Sequence, residues 1–327
     1  MTKSDPLACS FGASVLLKHL AALRQEIPGV RTAEDLESIH RMRVTSRRLR
    51  SAIPLFAGCF RKKQVKYWIQ EIKGITRALG AARDADVQLD VLKKITSDQA
   101  DERSKPGLRR LALRIYQRRL GLQGPIITSL DKLEKDGFYA SLERDLSHDF
   151  PAFTPETPFS HTLYIAAAAS IQDRLDEFLA YEPYIHRPES VLELHAMRIS
   201  AKQLRYTIEV FAPIYPGELQ PFLQAVKTSQ ELLGDIHDCD VWQQFIPKFI
   251  EDEQQRTIEY FGHSNPLHPL LPGFEYFRQN RRELRDAQYQ DLRRKWEQWK
   301  DKNIWGDLTL AIASFIHLDF YPPIQTV

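Results

Sequence analysis

The chain has 327 residues, of which 43% are hydrophobic and 27% charged, a composition typical of a globular protein with a substantial core. Its formal net charge of +2 at pH 7 does not by itself point to a polyanionic partner. No uninterrupted apolar stretch reaches about 18 residues, so we expect no transmembrane helix. The three cysteines are odd in number and match no zinc motif, which favours a reducing compartment and predicts a cytoplasmic location.

The positive charge is concentrated in two segments. Residues 40–50 contain five arginines and no acid, and residues 103–119 contain seven lysines or arginines and no acid. Clustered charge of one sign focuses the electrostatic field, and a ligand responds to that local field rather than to the total. Each segment is therefore a candidate anion-binding surface.

Helical periodicity runs along the chain, and no stretch has the alternation typical of strands, so we predict an all-α fold. The first helices of two similar halves are expected near residues 11–26 and 161–180. The segment HRMRVTSRRLR begins at His40 and is repeated as HAMRISAKQLR from His195, at an offset of 155 residues. Pro54 is expected to bend or shorten the first repeated helix near its end, and Pro213 and Pro216 to stop the second.

Both copies have a core stripe at positions i, i+4, i+7, i+11 and i+14, the spacing of one helical face. The stripes consist of Met42, Ser46, Leu49, Ile53 and Phe56 in the first copy, and Met197, Ala201, Leu204, Ile208 and Phe211 in the second.

The duplication continues in residues 73–87 and 227–241, now at an offset of 154. Gly80 and Gly234 are expected to end a helix or to allow close helix approach. Asp84 and Asp238 are predicted N-caps, with Asp86 and Asp240 in the first turn after them. An alternative stays open, in which these four acids pair with arginines of a binding site and orient them.

A weaker third correspondence follows a Pro-Gly pair in each half, at Gly107 and Gly273, before two arginine-rich helices. A linker is predicted near residues 148–160, which contain Pro151, Pro155 and Pro158. It separates residues 10–150 from residues 158–320, each with about four helices. Two tandem four-helix bundles are the predicted architecture. Residues 262–273, rich in proline, are predicted to be a surface loop.

The cations of each repeated helix form a column beside its core stripe. On a helical wheel, the first column falls within an arc of roughly 80° and spans about 15 Å. The members are His40, Arg43, Arg47 and Arg50 in one column, and His195, Arg198, Lys202 and Arg205 in the other. Aligned cations repel one another, and the arginine fork matches phosphate oxygens, so the columns predict a polyanion site. A merely solvated charged face is the alternative interpretation.

No catalytic residue, cofactor or metal site is assigned from the sequence. His237-Asp238 is similar to the His-Asp pair of metal-dependent phosphohydrolases, but Arg83-Asp84 occupies the equivalent place in the first half. No further set of ligands accompanies the pair, and Gly-rich phosphate loops and nucleophile motifs are missing.

The repeated motifs, H-x-M-R-V-x-x-R-R-L-R followed by L-G-x-x-R-D-x-D-V, resemble those of the CHAD domain, a conserved histidine α-helical domain. The resemblance covers about residues 10–320. It implies two helical bundles related by a pseudo-two-fold axis around a basic central channel, with inorganic polyphosphate as the ligand and polyphosphate granules as a place of association. Family members are often fused to a hydrolase domain with an E-x-E-x-K motif. Here Glu251 and Glu253 precede Gln255, so a stand-alone member is expected.

The family's ligand-binding residues are carried over position by position. They correspond to His40, Arg43, Arg47, Arg50, Lys73, His195, Arg198, Lys202, Arg205 and Lys227. Arg77 adds to the same surface as Lys73 by its i,i+4 spacing. The third-helix alignment is looser and adds Arg114, Arg118, Arg281 and Arg282. The second half departs from the family pattern at Gln203, Glu231 and His237.

We therefore predict a non-catalytic, polyphosphate-binding protein. One alternative is a metal-dependent phosphohydrolase acting on polyphosphate or phosphate esters. Another is a nucleic-acid-binding protein, which is disfavoured because the columns contain no aromatic residues to stack bases. No membrane partner is expected.

Overall fold

The computed structural model describes residues 5–32, 35–148, 150–154 and 156–316. All regular secondary structure in these residues is helical, which confirms the all-α prediction. The first half contains α1 (Pro6–Gln25), α2 (Ile27–Thr32), α3 (Leu36–Leu55), α4 (Lys62–Asp98), α5 (Lys105–Leu120), α6 (Gln123–Lys135) and α7 (Phe138–His148). The second contains α8 (His161–Leu179), α9 (Val191–Phe211), α10 (Gln220–Phe261), α11 (Leu271–Asp301) and α12 (Ile304–Ser314).

The order of helices repeats between the halves. The helices α1, α3 and α4 precede the first arginine-rich helix, as α8, α9 and α10 precede the second. Beyond residue 105 the offset becomes 166, because α5 with α6 occupies the places of α11, and α7 those of α12. The final pair, α7 and α12, was not predicted from the sequence. It packs on α1 and α8 respectively. The pseudo-two-fold relation stays a prediction.

The two longest helices run straight through the repeated glycine and aspartate positions. Helix α4 has 37 residues and α10 has 42, so Gly80 and Gly234 end no helix. Asp84 and Asp238 lie inside these helices, and their prediction as N-caps is wrong. The physical reason is that apolar positions continue on both sides of each glycine, as with buried Leu79 and Ala82 in α4. Their packing outweighs the roughly 1 kcal/mol that a helical glycine costs.

Both predicted core stripes are fully buried, and their apolar residues belong to one hydrophobic cluster that draws on both halves. A second cluster joins the distal part of α4 to α5, α10 and α11. Burying one large apolar side chain stabilises the fold by about 1.5–3 kcal/mol, so these shared cores hold the halves together. Pro54 lies in the last turn of α3, and α9 ends before Pro213, as expected.

Residues 262–273 are not a loop throughout, because a short 3-10 helix (Asn265–Leu270) leads directly into α11. No helix is assigned to the described residues between α7 and α8, where the linker was predicted. Pro155 of that linker and residues 317–320 of the second predicted repeat lie outside the described residues.

The amino-terminal helices differ from two expectations. Residues 6–32 are long and apolar enough, by length and composition alone, to cross a membrane, with a mean hydropathy of 1.4 in the relevant window. Half of that window is buried within the structure, and a core helix or a signal sequence meets the same criteria. In addition, Cys9 forms a disulfide with Cys59, so the cysteines no longer argue for a reducing compartment. The cytoplasmic location stays a prediction.

Candidate functional site

Helices α3 and α9 pack against each other at the centre of the molecule, and this packing brings the two cationic columns together. Arg47 is close enough to Arg43, Arg50 and Arg198 for their charges to lower its pKa, although its desolvation is the larger cause. Lys202 is affected by the same arginines and by Arg47. We call these five residues from both halves the central cluster.

Lys202 shows how unfavourable the surroundings in the central cluster are for a cation. Burial and the charge of Arg47, followed by those of three further arginines, lower its pKa from 10.5 to about 8. Arg47 is also lowered in pKa, and its guanidinium lies 5.7 Å from the centre of the Tyr206 ring, a cation–π contact. No carboxylate of a described residue forms an ion pair with Arg47 or Lys202, so their charges are left for another partner.

The depressed pKa of Lys202 predicts a measurable effect on stability. Between about pH 8 and pH 10.5 the folded protein holds fewer protons at this residue than the unfolded chain, so its stability rises with pH in that window. Lys202→Met removes the effect. The free energy of unfolding of the variant should exceed that of the wild type most below pH 8, and the excess should shrink toward pH 10.5. Urea unfolding across pH 7–10.5 measures this, and a constant difference would contradict it.

The arginines of the columns lie beside the repeated glycine positions of the long helices, and Arg43 also contacts an acid there. The Arg43 guanidinium donates to Asp84 at 3.2 Å. A Cβ atom on Gly80 would lie 3.6 Å from Nε of Arg43, and one on Gly234 would lie 3.6 Å from Nε of Arg198. A Cβ atom on either glycine would therefore make only an ordinary van der Waals contact with the arginine beside it, and the close-approach alternative stays a prediction. Asp84 orients an arginine instead of capping a helix.

Asp238, the counterpart of Asp84, has a different environment. Its pKa is raised, mainly by desolvation, while the charge of Arg198 opposes the shift and the carboxylate of Asp235 adds to it. Asp238 forms no ion pair with the arginine among the described contacts, so the second half leaves Arg198 less neutralised than Arg43.

The histidines that begin the columns are held in their neutral form. Burial lowers the pKa of His40 and of His195, and the charges of Arg83 and Arg198, respectively, are the next causes. Nδ1 of each histidine is buried without a hydrogen-bond partner among the described residues. The ring of His237 lies 4.1 Å from that of His195, and burial and Arg198 lower its pKa to about 4. His237 is thus not a substitute cation for Arg83.

In the described part of the chain, no group of three or more His, Cys, Asp or Glu side chains is arranged to hold a metal ion. The His237-Asp238 motif therefore lacks the additional ligands that a metal centre needs.

Four further residues that were predicted to bind the ligand do not belong to the central cluster. Arg205 donates to Glu209 at 2.8 Å, and Nζ of Lys227 lies 3.9 Å from the carboxylate of Glu231. Lys73 and Arg77 are exposed on α4. Arg205 and Lys227 are thus partly neutralised by acids, whereas Lys73 and Arg77 are open to solvent.

The four candidates from the arginine-rich helices are engaged elsewhere. Arg114 donates to buried Glu253 at 2.7 Å, and Arg118 donates to Gln88. The guanidinium of Arg281 lies 5.3 Å from the centre of the Phe277 ring, and Arg282 is exposed. The charges of these four arginines are not among the causes that lower the pKa of Arg47 or of Lys202.

Sequence reasoning missed two ion pairs that hold the arginine-rich helices to the long helices. Arg119 donates to Asp86 at 2.7 Å, with both side chains almost fully buried, and Arg285 pairs with Asp240. These arginines are related by the same offset of 166 that relates α7 to α12. That offset is the signal that could have found them. Asp86 and Asp240 thus orient arginines of the framework.

Comparison with known proteins gives a family match and proteins of similar sequence. The model of the CHAD domain family matches residues 14–247. Two Mycobacterium tuberculosis proteins are 27% identical over 226 residues: Uncharacterized protein MT2285 of strain CDC 1551 / Oshkosh and Uncharacterized protein Rv2226 of strain ATCC 25618 / H37Rv. The matches cover 64% of this chain but 40% of each relative, so the chain spans about two fifths of their length.

Two solved structures have a similar fold. The crystal structure of the CHAD domain from the plant Ricinus communis has a TM-score of 0.64 and 20% identity, covering 90% of this chain and 93% of that one. PptA from Streptomyces chartreusis has a TM-score of 0.59 and 15% identity, covering 90% of this chain and all of its own. At these identities the likeness shows the fold alone.

Proposed function

The chain belongs to the CHAD domain family, and from this premise we propose that it binds inorganic polyphosphate, without catalysis, at the central cluster. The observation that carries the proposal is the meeting of cations from both halves, where Arg47 and Lys202 form no ion pair with an acid of the described residues. An anion with closely spaced charges would neutralise several of these cations together. Association with polyphosphate granules is part of the proposal.

The chemistry of the cluster suits a chain of phosphates. Each arginine can donate two parallel hydrogen bonds to phosphate oxygens. A hydrogen bond to a charged group contributes about 1.5–3 kcal/mol, so about three to six such contacts supply the roughly 8 kcal/mol of micromolar binding. A bound polyanion also offsets the burial and the repulsion that lower the pKa of Lys202, and binding near pH 8 should therefore take up protons.

Titration with long-chain polyphosphate at several salt concentrations tests the proposal. The logarithm of the association constant should fall linearly with the logarithm of salt concentration, by analogy with counterion release from nucleic acids. Isothermal calorimetry at pH 8 in buffers of different ionisation enthalpy should show the proton uptake. Absence of binding, or binding insensitive to salt, would count against the proposal.

Two further assays distinguish the rival functions. Release of phosphate with Mg²⁺ or Mn²⁺ that disappears in His40→Ala would indicate a hydrolase and contradict a non-catalytic role. Single-stranded RNA that displaces polyphosphate at equal charge concentration would indicate a nucleic-acid site. The proposed function expects no turnover and only weak competition by RNA.

A further inference from the structure

A cavity lies at the junction of α1, α3 and α9, beside the central cluster but distinct from it. It has a volume of about 440 Å³. The polar residues that line it are Lys18, His19, Thr45, Arg48, Tyr206 and Glu209, and none of them belongs to the central cluster. We call it the side cavity.

The polar lining of the side cavity carries an excess of positive charge. Arg48 donates through Nε to Glu209 at 3.0 Å, which leaves its two terminal amino groups without a partner among the described contacts. The same carboxylate accepts from Arg205 at 2.8 Å. One acid is thus shared by two guanidinium groups, and Lys18 at the rim of the cavity adds a further cation. The contact through Nε fixes the position of the Arg48 guanidinium, and the shared carboxylate neutralises its charge only in part.

His19 reports the same excess of positive charge. Burial and the charges of Arg48 and Lys18 lower its pKa to about 4, and the carboxylate of Glu209 only partly opposes them. The charged or titratable groups facing His19 come from α1, α3 and α9, and Tyr206 completes the wall. An anion among them would favour the protonated imidazole.

Geometry separates this cavity from the polyanion site. On the wheel of α3, Thr45 and Arg48 lie about 100° or more from Arg47. Tyr206 lines the cavity and also carries the Arg47 guanidinium on its ring, so it forms part of the wall between the two sites.

The cationic character is not inherited from the duplication. A groove between α8 and α9 occupies the corresponding part of the second half, and its lining includes Glu177, Ser200 and Gln203 but no lysine or arginine. Ser200 and Gln203 stand where the first half has Thr45 and Arg48. The side cavity, lined by α1, α3 and α9, therefore has cations that the groove between α8 and α9 lacks.

We propose that the side cavity binds a small phosphomonoester, with its phosphate between Lys18 and Arg48 and its organic part against Ala22 and Val210, which also line the cavity. A hydroxyl from Thr45 supplies a neutral donor of the kind that accompanies cations in phosphate sites. The volume exceeds that of a lone phosphate, which is why an organic ester is favoured over the inorganic ion. The terminal phosphate of a polyphosphate chain shares this chemistry.

Proton NMR of the His19 ring, with glucose 6-phosphate as the probe, tests the proposal. The ring resonances should shift on titration, and the pKa of His19 should rise by about one unit or more in the saturated protein. Arg48→Gln should weaken binding by about tenfold or more. Lys18→Gln, at an exposed position, should also weaken it and is not expected to affect folding.

Controls separate this site from the proposed polyphosphate site. Arg43→Gln should leave the His19 response to glucose 6-phosphate unchanged, and Arg48→Gln should leave the affinity for long-chain polyphosphate within about twofold. Inorganic phosphate should shift His19 less than the ester does, and long-chain polyphosphate should not displace the ester at equal phosphate concentration. An unresponsive His19, equal loss in Arg43→Gln, or displacement by polyphosphate would each overturn the inference.

Discussion

Arg47→Glu is expected to lower the affinity for polyphosphate by about 100-fold or more while leaving the unliganded protein at least as stable as the wild type. The new carboxylate would lie among Arg43, Arg50, Arg198 and Lys202, all of which already repel the native guanidinium or share its surroundings. It would reduce the positive charge of the cluster, so the polyanion would lose a hydrogen-bond donor and meet a like charge. The same carboxylate would relieve the repulsion among the cations of the unliganded protein.

The measurement pairs a polyphosphate titration with thermal unfolding of the same samples. Arg294→Glu is the matched control, because this arginine is 65% exposed on α11 and pairs only locally with Asp291. It makes the same change in net charge and should alter affinity by about twofold or less. Lys202→Glu should reproduce the loss, since both halves contribute to one cluster. Weakened binding accompanied by a lower melting temperature would instead indicate damage to the fold.

The repeated helices show what can and what cannot be predicted from helical periodicity. The core stripes could be predicted because a helix has a fixed period, and all of their residues are buried as expected. The meeting of Arg47 with Arg198 could not, because it depends on how α3 crosses α9. No periodicity within one helix contains that information.

The repeated glycine and aspartate positions illustrate a competing effect. Local preferences of Gly80 and Asp84 predict a helix end and a new start, yet both residues lie within α4. Continuous burial along that helix outweighed the local preferences. Asp84 accepts a hydrogen bond from Arg43, which was the alternative left open for the acids, whereas a Cβ atom on Gly80 would make only an ordinary contact with that arginine.

The arginine-rich helices show where alignment failed. Arg114 and Arg281 came from the loose third-helix alignment, but Arg119 and Arg285 are the equivalent residues that pair with acids of the long helices. The two Pro-Gly pairs lie 166 residues apart, and the same offset relates Arg119 to Arg285, so the sequence contained the correspondence. That these two arginines form ion pairs with the long helices depends on how the helices pack, which the sequence does not show. The helix boundaries agree with this offset of 166 residues.

Gly107 and Gly273 begin these helices and pack against each other where α5 meets α11. A Cβ atom on Gly273 would overlap the carbonyl oxygen of Ser104 and lie 2.8 Å from Cα of Gly107. On Gly107, it would overlap the carbonyl oxygen of Leu270 and lie 2.9 Å from Cα of Gly273. The obstructing atoms belong to the backbone, which cannot move aside as a flexible side chain can, so the two helices must separate.

Gly273→Ala is therefore expected to reduce the free energy of unfolding by about 3 kcal/mol or more, measured by urea denaturation. Gly74→Ala is the matched control, because Gly74 lies within α4 and a Cβ there would meet nothing within 4 Å. That variant should gain about 0.5–1 kcal/mol. An equally mild effect at both positions would contradict the close contact. Because α5 and α11 share the distal core of both halves, Gly273→Ala should also weaken polyphosphate binding, although it touches no cation of the central cluster.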